Sequence, residues 1–380
     1  MKKGQQIYLD HASHTPCSAA VIEIVRKISL SEYGNPSATH RFGLRSHDVL
    51  ENSRRWFAEH FRVSPEFITF TSSGTEANNL AILGTLSRKE LSKQHAVTTS
   101  IEHSSVYNLY KDLEARGLPV TYLKVDSEGL VSLEELNQVI RPQTAIISTI
   151  GVNNEIGTIQ RLSELGTSVK RANPSTLLHV DGVQAFGKIH IPLKDNHIDL
   201  FTISGHKIHG PLGVGALILT REIPLVPQLI GGEQERGRRA GTENFPAIAG
   251  FHLAAKEAAL NLDLNFKHVK ELWDHCREGV ENFGSRIHLN SPHDGSPYLL
   301  NFSVKGIPSE TALRMFDELG IALSAGSACN HLSRPNRILL ALGLPKETAS
   351  SSLRASFSPS SQKSDVEFFL NALKTILSHS

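Results

Sequence analysis

Four stretches place small, hydroxylic or ionisable residues where an apolar run ends. In SSGTEANN (72–79) the run ends in serines and Gly74, and a helix pattern starts at about Thr75. Free N–H groups at a helix N-terminus, beside Ser and Thr hydroxyls, form an anion site, although ordinary capping uses the same residues. In HVDGVQAFGK (179–188) Asp181 closes an apolar run. Its carboxylate suits a cationic ligand group, and equally the cap of the next turn. Gly182 to Lys188 opens like a phosphate loop, but Ile189 stands where a Mg²⁺-binding hydroxyl is required, so a nucleotide-hydrolysing loop is excluded.

In SGHKIHGPLGVGAL (204–217) Lys207 follows an apolar strand and sits among Ser204, His206 and glycines. A lysine carried from a strand end into a cleft loses hydration, which lowers its pKa and makes it a nucleophilic amine; a lone surface lysine is the plainer alternative. In SAGSACNHLSRPN (324–336) Cys329 lies among small residues, a setting that leaves a thiol accessible as a nucleophile. Cys17 and Cys276 lack that setting, and Cys276 on ELWDHCREGV reads as packing. His206 and His209 have no third ligand nearby, so no metal site is expected. An amine, an acid and an anion cradle are together what a pyridoxal phosphate site requires: Lys207 for the aldehyde, Asp181 for the pyridinium nitrogen, and the Gly74–Thr75 helix start for the phosphate.

These residues need strand ends to carry them. Strand-like runs at 67–73, 95–100, 118–125, 144–152, 176–181, 199–204 and 214–220 alternate with helical patterns. Their near-continuous apolarity predicts an α/β fold, a mostly parallel sheet covered by helices, with ligands at the carboxyl ends of the strands. After GGEQERGRRAGTEN (231–244) the rhythm changes. One long helix is expected over 246–283, then strands around 298–304, a helix over 309–320, the stretch 321–330 and a terminal helix over 364–377. This predicts a large unit over 15–250 and a smaller α+β unit over 251–380, with 1–14, that carries the cysteine segment.

The composition fits two such units. The chain has 380 residues, 39% hydrophobic and 20% charged. The net charge of +1 gives no electrostatic case for binding nucleic acid or an acidic membrane. Three cysteines are too few for a disulfide framework and fit a reducing, cytoplasmic setting. The opening MKKGQQIYLDHASH has no apolar run behind its lysines, so no signal peptide is expected.

Long ordered segments carry a resemblance: YLDHASHTP (8–16), YGNPSATHRFG (33–43), FTSSGTEANNLAILG (70–84), IEHSSV (101–106), VNNEIGTIQ (152–160), HVDGVQAFGK, SGHKIHGPLGVGAL, GGEQERGRRAGTEN and SAGSAC (324–329). In these the chain resembles the cysteine desulfurases of the class V aminotransferase superfamily, fold type I pyridoxal phosphate enzymes. The resemblance implies conversion of L-cysteine to L-alanine, with the sulfur carried as a persulfide on Cys329. It implies that Lys207 holds the cofactor covalently and moves the substrate proton, that His103 stacks on the ring as an acid/base group, and that Asp181 and Gln184 bond the ring nitrogen and hydroxyl. Gly74, Thr75, Ser204 and His206 would hold the phosphate, with Thr242 reaching the phosphate of a second subunit in a homodimer. Asn154 and Arg354 would hold the substrate carboxylate. The acceptor would be a protein such as an iron–sulfur scaffold.

The chain departs from the family pattern at Ser13-His14, where Ala-Thr is usual before Thr15-Pro16, at Leu212 for a usual lysine, and at Arg238 for a usual leucine. The cysteine segment and the tail after Arg354 are also shorter. Alternatives on the same scaffold are a selenocysteine lyase, a small-amino-acid aminotransferase, or a non-catalytic binding protein.

Overall fold

The computed structural model describes residues 6–326 and 336–378. A short strand β1 (Ile7–Tyr8) leads into helices α1 (Ala19–Ser31) and α2 (Arg41–Phe61). Strands and helices then alternate: β2 (Ile68–Thr71), α3 (Gly74–Leu86), β3 (His95–Thr99), α4 (Ser104–Ala115), β4 (Val120–Leu123), α5 (Leu133–Val139), β5 (Thr144–Ile150), α6 (Leu162–Ala172), β6 (Leu177–Asp181), β7 (Leu200–Ser204) and β8 (Gly215–Leu219). The remainder is α7 (Phe245–Leu260), α8 (Leu262–Glu281), β9 (Ile287–Leu289), β10 (Leu299–Val304), α9 (Ser309–Glu318), β11 (Ile321–Ala322), α10 (Arg337–Ala341), α11 (Lys346–Ser350), β12 (Ser352–Ser356) and α12 (Lys363–Ser378).

Seven strands form the main sheet in the order β2-β8-β7-β6-β5-β3-β4. Every pairing is parallel except the two made by β8. Strands β3, β6, β7 and β8 are buried at every position, which is why they read as continuous apolar runs. The mostly parallel α/β sheet expected from the sequence is therefore present. A second sheet pairs β10 antiparallel with β9 and β12. It has a core of its own around Trp273, Phe302, Phe316 and Phe369.

The expected long helix over 246–283 is two helices. Asn261 breaks it, with φ −108° and ψ 14°, and its side-chain amide donates to the Glu257 carbonyl at 2.9 Å. An asparagine bonding the backbone locally competes with helix continuation. Neither α1, α2 nor β12 stands out in the sequence.

An N-terminal strap links the two sheets. β1 pairs parallel with β11, and Asp10 forms a bridge to Ser356 at the end of β12. The Ala12 N–H donates to Ser356 Oγ at 2.9 Å. Farther along, the Thr15 and Ser18 N–H groups donate to the carbonyls of His206 and His209, each at 3.0 Å. The strap thus ends against the turn that carries Lys207.

Candidate active site

A cavity of about 250 Å³ lies at the carboxyl ends of β5, β6 and β7, where an open α/β sheet places its ligand. Its lining includes Gly74, Thr75, His103, Asn154, Asp181, Gln184, Ser204, His206, Lys207 and Arg354. Ten sequence-selected residues, scattered over the chain, therefore share one space. Thr242 is exposed and is not among the lining residues. Cys329 lies outside the described residues.

Asp181 is the last residue of β6 and is 3% exposed. Its Oδ1 accepts from the Val183 N–H at 3.1 Å, and its Oδ2 accepts from Asn78 Nδ2 at 2.8 Å. Asn78 also donates to Ser105 Oγ at 2.9 Å, and Ser105 Oγ lies 2.8 Å from His103 Nδ1. A polar relay therefore joins the acid to the imidazole. His103 Nδ1 accepts from the Ser105 N–H, capping α4, so the neutral ring carries its proton on Nε2. Burial lowers the His103 pKa, opposed by the Asp181 carboxylate, so the ring favours its neutral form.

Lys207 occupies a 3₁₀ turn directly after β7. Its ammonium donates to the carbonyls of Ala12 and Ser13, each at 2.7 Å. Ser204 Oγ and His206 Nδ1 are 2.9 Å apart. Burial, then Lys207, pushes His206 down to about 3, so its ring is neutral. His14 packs against the His206 ring at 5.8 Å, and its pKa is lowered by burial and by Lys207. The departure from Ala-Thr at Ser13-His14 thus lies beside the cavity wall. Leu212 is 65% exposed, away from the cavity lining, and Arg238 donates to the Glu66 carbonyl.

Helix α3 aims its N-terminus at the cavity. Ser73 Oγ caps it by accepting from the Glu76 N–H. Gly74 allows the close approach: a Cβ there would lie 2.7 Å from Val183 Cγ2. The first N–H groups of a helix have no intrahelical partner and suit an anion.

Arg354, in the middle of β12, is 1% exposed. Nη1 donates to the Asn154 carbonyl at 2.6 Å, while Nη2 donates to Asp10 Oδ1 at 2.9 Å and Ser13 Oγ at 2.7 Å. Its Nε, like Asn154 Oδ1 and Asn78 Oδ1, is buried without a hydrogen-bond partner among the described residues. Buried polar atoms are normally satisfied, so this group lining a cavity marks a place for a polar ligand. A basic amine, a buried carboxylate, a helix N-terminus and a guanidinium fit pyridoxal phosphate and an amino acid. Asn78 and Ser105 carry no motif signal, although Asn78 lies one helical turn beyond Gly74 on the same face.

The model of the family "Aminotransferase class-V" matches residues 7–369. The chain belongs to the class-V aminotransferase family. Within it, the chain is 38% identical to the putative cysteine desulfurase IscS 1 of Bacillus subtilis, covering 93% of each protein. It is 38% identical to the mitochondrial cysteine desulfurase of Saccharomyces cerevisiae, covering 97% of this chain and 74% of that protein. A solved NifS-like protein superposes with a TM-score of 0.93 at 33% identity, covering 99% of this chain and 100% of the other. A structure described as SspA in complex with cysteine gives 0.82 at 32% identity, over 93% and 99% of the two chains.

Proposed function

We propose that the chain is a pyridoxal phosphate-dependent cysteine desulfurase, which converts L-cysteine to L-alanine and passes the sulfur, through a persulfide on Cys329, to an acceptor protein for iron–sulfur cluster or other sulfur-cofactor assembly. The observation that carries this reading is the meeting of Lys207, Asp181 and Arg354 around one cavity. The names of the relatives support it.

When bound, the cofactor supplies an electron sink for charge developing at the substrate Cα. Lys207 holds it and afterwards, as a free amine, moves a proton from Cα. Asp181 keeps the proton on the ring nitrogen, and Gln184 bonds the ring oxygen. His103 covers the ring and serves as an acid/base group. Gly74, Thr75, Ser204 and His206 hold the phosphate. Arg354 and Asn154 orient the substrate carboxylate. The Cys329 thiolate attacks the substrate sulfur: an S–S bond forms, the C–S bond breaks, and the carbon fragment takes up protons to become alanine. The net change is L-cysteine plus thiol giving L-alanine plus persulfide, with no external oxidant.

Thr242 contributes to the phosphate site of a second copy in a homodimer, a role consistent with its exposure. Residues 15–250 act as the cofactor-binding unit, and 251–380 with 1–14 as the smaller unit carrying Cys329. A thiol that must be reduced between turnovers suits the cytoplasm. Among the described residues no helix is long and apolar enough to cross a membrane.

The test is the visible absorbance of the purified protein with pyridoxal phosphate, followed by sulfide and alanine release from L-cysteine with a reductant. Cys329→Ser should keep the absorbance and lose sulfide release. Full sulfide release by that variant would remove Cys329 from the reaction. Selenide release from selenocysteine without sulfide release from cysteine would favour a selenocysteine lyase.

A further inference from the structure

Lys188 stands behind the cavity and is not among its lining residues. It is 6% exposed, and among the described residues no carboxylate forms an ion pair with it. Its Nζ donates to Gln184 Oε1 at 2.7 Å and lies 5.5 Å from the centre of the Tyr298 ring. The charged and titratable groups around it are Lys207, Arg354, His11, His206, His209 and, across a second cavity, Glu257. A lysine buried among cations is expensive to keep, so its one strong hydrogen bond needs an explanation.

An amide can turn either its oxygen or its NH₂ group to a neighbour. An ammonium only donates, so Gln184 must present Oε1 to Lys188. Its Nε2 then points the other way, where it donates to the Ala12 carbonyl at 2.8 Å. That same carbonyl accepts from Lys207. Burial pushes Lys188 down to about 7, but its neutral amine also has N–H bonds to give, so the orientation of Gln184 holds on both sides of neutrality.

We propose that Lys188 is a positioning residue: by donating to Gln184 Oε1 it fixes the Gln184 amide with its N–H bonds toward the cavity, ready to donate to the cofactor ring oxygen. This rests on the reading of the cavity as a pyridoxal phosphate site. It goes beyond that reading in assigning a function to a lysine that touches neither cofactor nor substrate.

The experiment titrates cofactor-free wild type, Lys188→Met and Lys188→Gln with pyridoxal phosphate, following the absorbance of the bound form, with thermal unfolding of each cofactor-free protein as a folding control. Lys188→Met should bind about tenfold more weakly. Lys188→Gln, whose amide still donates to Gln184, should stay within about threefold of wild type. In a Gln184→Leu background the methionine substitution should change the affinity no further, since a double-mutant cycle isolates the shared contact. Undiminished affinity in Lys188→Met overturns the proposal, and so does equal weakening with and without Gln184. Should Lys188→Met fail to fold, Lys188→Gln still decides: a loss of tenfold or more in that variant overturns the proposal. Wild type that takes up no pyridoxal phosphate overturns the cofactor reading instead.

Discussion

The side-chain amide of Asn336 donates to the carboxylate of Glu155 while its oxygen caps α10, accepting from the N–H groups of Ile338 at 2.9 Å and Leu339 at 3.3 Å. Gly326 reaches the same point: a Cβ on it would lie 2.8 Å from Asn336 Nδ2 and 3.1 Å from Glu155 Oε2. Both borders of the segment that contains Cys329 therefore meet at Glu155, the neighbour of the cavity residue Asn154.

Asn336→Ala removes a helix cap together with a bond to a buried carboxylate, and should cost about 1–2 kcal/mol. Gly326→Ala sets a side chain at φ +121° against those atoms and should cost about 1–3 kcal/mol. Urea unfolding of each variant measures both losses. Wild-type midpoints would remove this junction from the stability of the fold.

Arg354→Lys keeps the charge but loses the planar fork that bonds the Asn154 carbonyl, Asp10 and Ser13 together. The kcat/KM for L-cysteine should fall about a hundredfold or more, with cofactor absorbance retained. Steady-state kinetics at saturating pyridoxal phosphate provides the check.

His103→Ala removes the neutral imidazole and the end of the relay through Ser105 and Asn78. A drop in kcat of about 10²- to 10⁴-fold is expected, the range for a lost acid/base group. Single-turnover measurement of alanine formation separates this from slowed sulfur release. An unchanged rate would assign His103 a packing role only.

Glu102 gives a pH dependence. Its carboxyl is fully buried, accepts from Thr99 Oγ1 at 2.6 Å and the Ile150 N–H at 2.9 Å, and is pushed up to about 8 chiefly by burial. The folded protein then holds a proton that the unfolded chain releases near the ordinary carboxylate pKa. Stability from this group falls as pH rises from the unfolded value through about 8. Glu102→Gln should behave like wild type at about pH 5 and be more stable at about pH 9, by a few kcal/mol at most. Thermal unfolding at both values tests the sign.

The main sheet was legible because strands buried on both faces leave continuous apolar runs, as in Leu177–Asp181. Helix α2 was not, because it buries Ser46, Ser53 and Arg54 beside its apolar residues, and Arg54 is satisfied by Glu51, by the Ile68 carbonyl and by the distant Glu235, the last at 2.7 and 2.8 Å. Strand β12 hid for the same reason: its central residue is Arg354. In the site, the strand ends marked Asp181 and Lys207. Asn78, Ser105 and Lys188 act through contacts to other side chains, and no local pattern encodes such contacts.

The strap has a consequence for biosynthesis. Ala12, whose carbonyl receives both Lys207 and Gln184, is itself tied through its N–H to Ser356, 344 positions away. The strap is held in place by a residue that is synthesised far later in the chain. The large sheet can form during translation, but the pocket floor is complete only once the C-terminal strand has been made. On the reading proposed above, stable loading of the cofactor would therefore wait for β12.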